Sequence, residues 1–164
     1  MTKIGLISDT HDNIENIEKS MRVFKEQEAC TVIHAGDFVS PSTIQAFHEV
    51  KLIGVYGNND VDKDGIKDAF NLIGGTITGD IYELNVDGSD IVVYHGTQQE
   101  VSESMIHSGK YNIVVCGHTH RIQNSIVGKT SVINPGTANG WFFGFGATLA
   151  ILDTQSRCAE FIRL

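Results

Sequence analysis

The chain has 164 residues, 41% of them hydrophobic, with 17 Gly and only 2 Pro, a globular composition of single-domain size that excludes collagen-like or disordered chains. Its 12 Lys+Arg against 20 Asp+Glu leave a net charge of −8, with no two basic residues adjacent. Gripping long nucleic acid needs a basic face, and lying on a membrane needs a basic amphipathic helix, so neither is expected to be the basis of function.

Lys3–Ser8 opens the chain as a short apolar run, read as a buried strand. Helical periodicity follows over Asn13 to Glu28, with Ile14, Ile17, Met21 and Phe24 on one face. Thr31–Ala35 is the second strand. Ser40-Pro41 predicts the start of a second helix, with Ser as N-cap and Pro at its first position, and Ile44 and Phe47 facing inward. Leu52–Tyr56 is the third strand, and Ile66, Phe70 and Ile73 mark a third helix. This alternation predicts a parallel sheet with right-handed crossovers.

The second half changes character. Tyr82–Val86 and Ile91–Tyr94 flank Asp87-Gly88-Ser89-Asp90, a hairpin signal. A weak helix around Val101, Met105 and Ile106 leads to a strand over Asn112–Cys116. Short strands follow around Ile122–Val127, Ser131–Ile133, Thr148–Leu152 and Glu160–Arg163. An antiparallel half is therefore expected after a parallel one, within a single domain over 1–164. The three cysteines, Cys30, Cys116 and Cys158, are far apart and suggest no disulfide framework, which together with the lack of a leader pattern points to the cytoplasm.

Five times an apolar strand runs out into a segment bearing metal-ligand side chains. These are Asp9-Thr10-His11, Gly36-Asp37, Gly57-Asn58-Asn59-Asp60, His95-Gly96 and Gly117-His118-Thr119-His120. Singly, the first reads as a helix cap, the second and third as turns, and His95 as an ordinary strand-end histidine. Together, in order after five strands, they would meet at the carboxyl edge of a sheet, where ligands gather in α/β folds. Two carboxylates, an amide oxygen and four imidazoles suit borderline divalent ions, whereas an all-oxygen cage would suit Ca or Mg. Seven ligands exceed what one ion needs and fit two ions sharing a carboxylate, the arrangement that clamps a displacement at phosphorus.

These motifs resemble those of the calcineurin-like metallophosphoesterases. The absence of an inserted cap and the Ile133-Asn134-Pro135-Gly136-Thr137 segment resemble its small YfcE-type phosphodiesterase branch. The resemblance spans Ile4 to about Leu152. It implies an α/β fold, an αββα four-layer sandwich of two mixed sheets flanked by helices. It further implies one metal on Asp9, His11, Asp37 and His120, and a second on Asp37, Asn58, His95 and His118, with Asp37 bridging. Manganese is favoured over Ni, Fe or Zn, and a bridging hydroxide is expected to attack a small phosphodiester. Where the family usually reads Gly-Asn-His-Asp, this chain has Asn59. Asn58 and Asn59 are assigned to stabilising the phosphoryl oxygens, but Asn59 cannot deliver a proton at neutral pH.

Other readings compete. A phosphomonoesterase would use the same residues, and a non-catalytic protein-binding scaffold of the same fold is the alternative from another class. His34, inside a strand, is read as core or as a neighbour of the ligands; His48 and His107 fall at helix ends and are read as solvated. Trp141, Phe142, Phe143 and Phe145 are read as a homo-oligomer surface, a wall of the substrate cleft or a buried hairpin.

Overall fold

The computed structural model describes residues 2–140 and 146–164, so the aromatic cluster over 141–145 lies outside the described residues. β1 (Lys3–Ile7) is followed by α1 (Ile14–Glu26), which Asn13 caps by accepting the Asn16 N–H; Glu15 in its first turn and Lys25 in its last complement the helix dipole. Ile17 and Phe24 form its buried face. β2 (Thr31–His34) then leads to Pro41–Phe47, a 3-10 helix with Ile44 and Phe47 buried as expected.

Ser40 does not cap that helix. Its N–H and hydroxyl both donate to Asp12 Oδ1, at 3.0 and 2.6 Å, and Thr43 donates to the same oxygen. Asp12 thus ties the 3-10 helix to the loop after β1, a longer-range demand that overrides the local cap. β3 (Lys51–Gly54) and α2 (Lys63–Leu72), capped by Asp62, follow, and β4 (Thr76–Ile77) is too short for any periodicity to reveal.

β5 (Ile81–Val86) and β6 (Ser89–Tyr94) are joined by Asp87 and Gly88, both in the left-handed region at φ 52° and 77°, a two-residue turn that fits the twist of a hairpin. α3 (Gln99–His107), β7 (Ile113–Val115), β8 (Ile122–Val127), β9 (Thr130–Pro135), β10 (Thr148–Asp153) and β11 (Cys158–Arg163) complete the chain.

The strands form a six-stranded sheet, β11-β10-β1-β2-β3-β4, and a five-stranded sheet, β5-β6-β7-β9-β8. In the first, β1 to β4 are parallel and β10 returns antiparallel beside β1, pairing Lys3 with Asp153 and Leu6 with Ala150. The second sheet corrects the expected antiparallel half. β6, β7 and β9 are mutually parallel, with β5 and β8 antiparallel at the edges. α3 is the crossover that a parallel β6–β7 pair requires. None of its residues is fully buried, so its apolar pattern is weak in the sequence.

Three apolar layers separate these elements. Leu6, Ile33, Val55, Val93, Ile113 and Ile133 pack between the sheets. Ile17, Phe24, Phe47, Leu52 and Phe70 pack under α1, the 3-10 helix and α2. Val92, Tyr111 and Val114, with Met105 and Ile106 against them, lie under α3. Central strands covered on both faces read as unbroken apolar runs, which is why they were legible. The result is the αββα arrangement of two mixed sheets.

Candidate metal centre

The five segments after β1, β2, β3, β6 and β7 converge. Backbone bonds stitch their loops together: Asp9 N–H to the Gly36 carbonyl, His11 N–H to the Asp37 carbonyl and Gly117 N–H to the His95 carbonyl. Asp9, Asp37 and His95 are buried, while Asn58, Asn59 and His118 are exposed at the mouth. Asp9 Oδ1 lies 3.2 Å from His120 Nε2, 3.9 Å from His11 Nε2 and 4.0 Å from His95 Nε2. Asp37 Oδ2 lies 3.6 Å from His11 Nε2 and 3.5 Å from His95 Nε2. Two groups have ligand atoms close enough to share an ion, Asp9–His11–His120 and Asp9–Asp37–His95. Asn58 Oδ1 is 3.1 Å from His95 Nε2. The His118 ring stands edge-on to His95 with centroids 5.1 Å apart, beside these groups rather than in either.

The backbone is strained where these side chains sit. Asp9, His11, Asp37, His118 and His120 have φ of 54°, 41°, 62°, 66° and 59°. Non-glycine residues adopt this region at a cost of order 1 kcal/mol or more each, and such strain clusters at functional sites. Two glycines make the convergence feasible: a Cβ at Gly57 would collide with Asp37 Oδ1, and one at Gly117 with Ser8 Oγ.

The charge balance fits a cation. Asp9 Oδ2 accepts from the Ser8 hydroxyl and the His118 N–H, whereas Asp9 Oδ1 is buried and meets no hydrogen-bond geometry. A buried carboxylate oxygen aimed at three imidazoles is suited to a metal ion, and the mixed O/N donor set agrees. Burial pushes the Asp37 pKa up, but hydrogen bonds and charge from His95 and two bonds from Asn59 outweigh it and hold the carboxyl well below its usual range. Burial likewise disfavours charged His95, yet Asp37 and Asp9 raise its pKa on balance; Asp9 raises that of His120. His118 is shifted down by burial and by His95. His95 Nδ1 donates to the Ala35 carbonyl at 2.7 Å, which leaves Nε2 as the ligand atom of the neutral ring.

Protons and a divalent cation therefore compete for His95 and His120. Because both pKa values are raised, metal affinity should rise with pH through the neutral range, falling about tenfold or more for each proton expelled between pH 8 and pH 6. Calorimetry in two buffers of different ionisation heat should register the released protons; pH-independent binding without release would contradict this assignment.

Several residues picked out by their motifs turn out to have supporting roles that the sequence did not specify. Asp60 is buried and accepts the N–H groups of Asp37, Val39 and Gly57 at 2.9, 2.8 and 2.7 Å, locking the β2 and β3 loops together. Asp60→Ala would strand three donors, so metal-free protein should lose about 3 kcal/mol or more in urea unfolding, with a smaller loss for Asp60→Asn. Asn134 donates to the Gly117 carbonyl and Thr119, and Thr137 to the Asp9 carbonyl. His34 is fully buried and stacks on Phe38. Its Nδ1 accepts the Gly36 N–H and its Nε2 meets the Thr10 hydroxyl, while burial and His95 push its pKa well down. It is a neutral core residue, as expected. His48 and His107 sit exposed, outside the site, at the ends of the 3-10 helix and α3.

Comparison with known proteins agrees with this geometry. The model of the calcineurin-like phosphoesterase superfamily domain matches residues 2–157. A phosphodiesterase of Methanocaldococcus jannaschii is 39% identical over 158 residues, covering 94% of this chain and 95% of the relative. The structure of an archaeal phosphodiesterase superposes with a TM-score of 0.94 at 38% identity, covering 99% and 100% of the two chains. The YfcE phosphoesterase of E. coli shares the fold at a TM-score of 0.74 and 19% identity, covering 99% of both chains. The chain therefore belongs to the calcineurin-like phosphoesterase superfamily.

Proposed function

We propose that this protein is a metal-dependent phosphodiesterase of small phosphodiesters, acting through two divalent ions as a single metallophosphoesterase domain without a cap. The observation that carries the reading is Asp9 Oδ1, buried without a hydrogen bond beside His11, His95 and His120. Asp9, His11, Asp37 and His120 would hold one ion, and Asp37, Asn58, His95 and His118 the other, with manganese favoured. When bound, such ions supply Lewis acidity toward phosphoryl oxygens and lower the pKa of water at the site.

The chain's own residues do the positioning. The Asn59 N–H and Nδ2 donate to Asp37 Oδ1 and Oδ2 at 2.9 and 2.7 Å, so the shared carboxylate is held at both oxygens. The bond from His95 Nδ1 to Ala35 fixes that imidazole, and Asp60 fixes the loop carrying Asp37. The amides of Asn58 and Asn59, exposed at the mouth, can turn donors toward developing charge on the equatorial oxygens. A protein-binding scaffold would have no use for five strained ligand positions around a buried carboxylate pair.

Elemental analysis of purified protein, followed by assay of an aryl phosphodiester and the matching monoester with Mn, Ni, Mg and Zn, tests this reading. Metal-dependent turnover of the diester in preference to the monoester is expected; preference for the monoester would make it a phosphomonoesterase, and no turnover with any metal would return the scaffold reading. No helix among the described residues is long and apolar enough to cross a membrane; the cytoplasm is proposed as its location. At a net charge of −8, long nucleic acid should compete poorly with small diesters. Sub-micromolar affinity for duplex DNA at physiological salt would contradict that.

A further inference from the structure

A cleft of about 380 Å³ is bordered by Gly57 and Asn58, and Asn58 Oδ1 lies 3.1 Å from His95 Nε2, so the cleft adjoins the carboxylate–histidine cluster. A group attached to a phosphorus held at that cluster would extend into it. Two of its walls are phenol rings whose polar ends are already engaged. Tyr56 donates its hydroxyl to the Lys63 carbonyl at 3.0 Å, and the Tyr94 hydroxyl accepts the Gln98 N–H at 3.0 Å. With the hydroxyls fixed in this way, the rings are held in place; at 8% and 7% exposure each gives the cleft a narrow, fixed strip of aromatic surface in a lining that is otherwise part polar. Ile81, 43% exposed, and the half-buried Val101 add aliphatic surface to the same cleft.

Charge points the same way. Lys63, which lines the cleft, is committed to Asp80 at 2.9 Å and sits 4.9 Å above the Tyr56 ring. Among the described lining residues a second anionic group on the substrate would meet no cation but this paired lysine, and would face Asp80. Thr97 and Gln98 at the rim are exposed, and their side chains make no hydrogen bond among the described residues, so they can meet the polar edge of an uncharged ring.

We propose that this cleft is a substrate subsite for a planar, uncharged ring carried on one ester oxygen of the diester, either a nucleoside or a simple aryl group. It sets a preference for ring-bearing over alkyl diesters, and it rests on the phosphodiesterase reading above. Its volume lies within the roughly 300–1,000 Å³ of small-ligand sites. Burying one ring face against it should strengthen binding by about tenfold to a hundredfold.

The test is calorimetric titration of manganese-loaded protein with benzylphosphonate, ethylphosphonate and thymidine 5′-monophosphate, on the native protein, Ile81→Asp and Val101→Asp. Benzylphosphonate should bind about tenfold to a hundredfold more tightly than ethylphosphonate, and both substitutions should bring that ratio close to one while thermal melting shows folded protein. Thymidine 5′-monophosphate binding above benzylphosphonate would assign the cleft to nucleosides; the reverse order would assign it to simple aryl groups. Equal affinity for the two phosphonates, or a preference that both variants leave intact, would overturn the proposal. Turnover of bis(p-nitrophenyl) phosphate separates the two readings. Ring preference without turnover rejects the diesterase and keeps the cleft, whereas turnover without ring preference rejects the cleft alone.

Discussion

Asp37→Ala is expected to empty the whole metal centre rather than half of it. Asp37 Oδ2 faces both His11 and His95, which belong to the two proposed sites, and its other oxygen is held by the Asn59 N–H. In the proposed assignment, removing it would take a ligand from each ion and the charge that draws both together. Metal analysis should fall from about two ions per chain to well below one, and diester hydrolysis should drop by about a thousandfold or more. His118→Ala should behave differently. That ring stands beside His95 and outside the Asp9–His11–His120 group, so about one ion should remain. Loss of fold is separable from loss of metal by melting both proteins metal-free. Asp37→Ala gives up the two hydrogen bonds from Asn59 and the charge beside His95, so it should melt lower than the metal-free parent but still in one cooperative transition. One ion still bound at full occupancy in Asp37→Ala would remove Asp37 as the shared ligand and leave Asp9, whose Oδ1 also reaches histidines of both groups, in that role.

The parts of this site that were legible share a physical cause. A strand buried on both faces must be apolar, so the point where it stops is visible, and the polar residues just beyond are marked by position as much as by type. That is how Asp9, Asp37, Asn58, His95 and His118 stood out although they span more than a hundred residues of sequence. The Asp87-Gly88 turn was legible for a local reason, since both residues must take left-handed backbone. What stayed hidden depended on distant partners. Asp60 resembles any turn aspartate until three N–H groups from two loops are seen to end on it. Ser40 has the residue type of a cap, and only the carboxylate of Asp12, from another loop, explains why it does not act as one. The parallel order of β6, β7 and β9 hinged on recognising α3 as a crossover, and a helix with no fully buried residue leaves too faint a pattern for that.

Asn59→His is expected to change how the rate depends on the leaving group more than it changes the metal site. The native Asn59 anchors Asp37 twice, through its backbone N–H and its amide, and the first of these survives any side-chain substitution. As an amide, it can donate a hydrogen bond to a departing oxygen but not a proton. The histidines not assigned to a metal offer no replacement. His34 is engaged at both ring nitrogens in the core, and His107 is exposed at the end of α3, 3.2 Å from Glu103. The leaving oxygen of the native enzyme must therefore depart largely as an anion. Activity should fall steeply as leaving-group pKa rises, with p-nitrophenyl esters turned over readily, phenyl esters slowly and alkyl esters barely. A positioned general acid contributes about 10²–10⁴-fold, most of it where the leaving oxygen is basic. Asn59→His, exposed at the mouth of the site, should flatten the slope by gaining chiefly on phenyl and alkyl esters, with metal content unchanged. A series of diesters spanning several leaving-group pKa units, assayed on both proteins with the same metal, reads this directly. A shallow native slope with the chemical step rate-limiting would mean that a proton already reaches the leaving oxygen by another route.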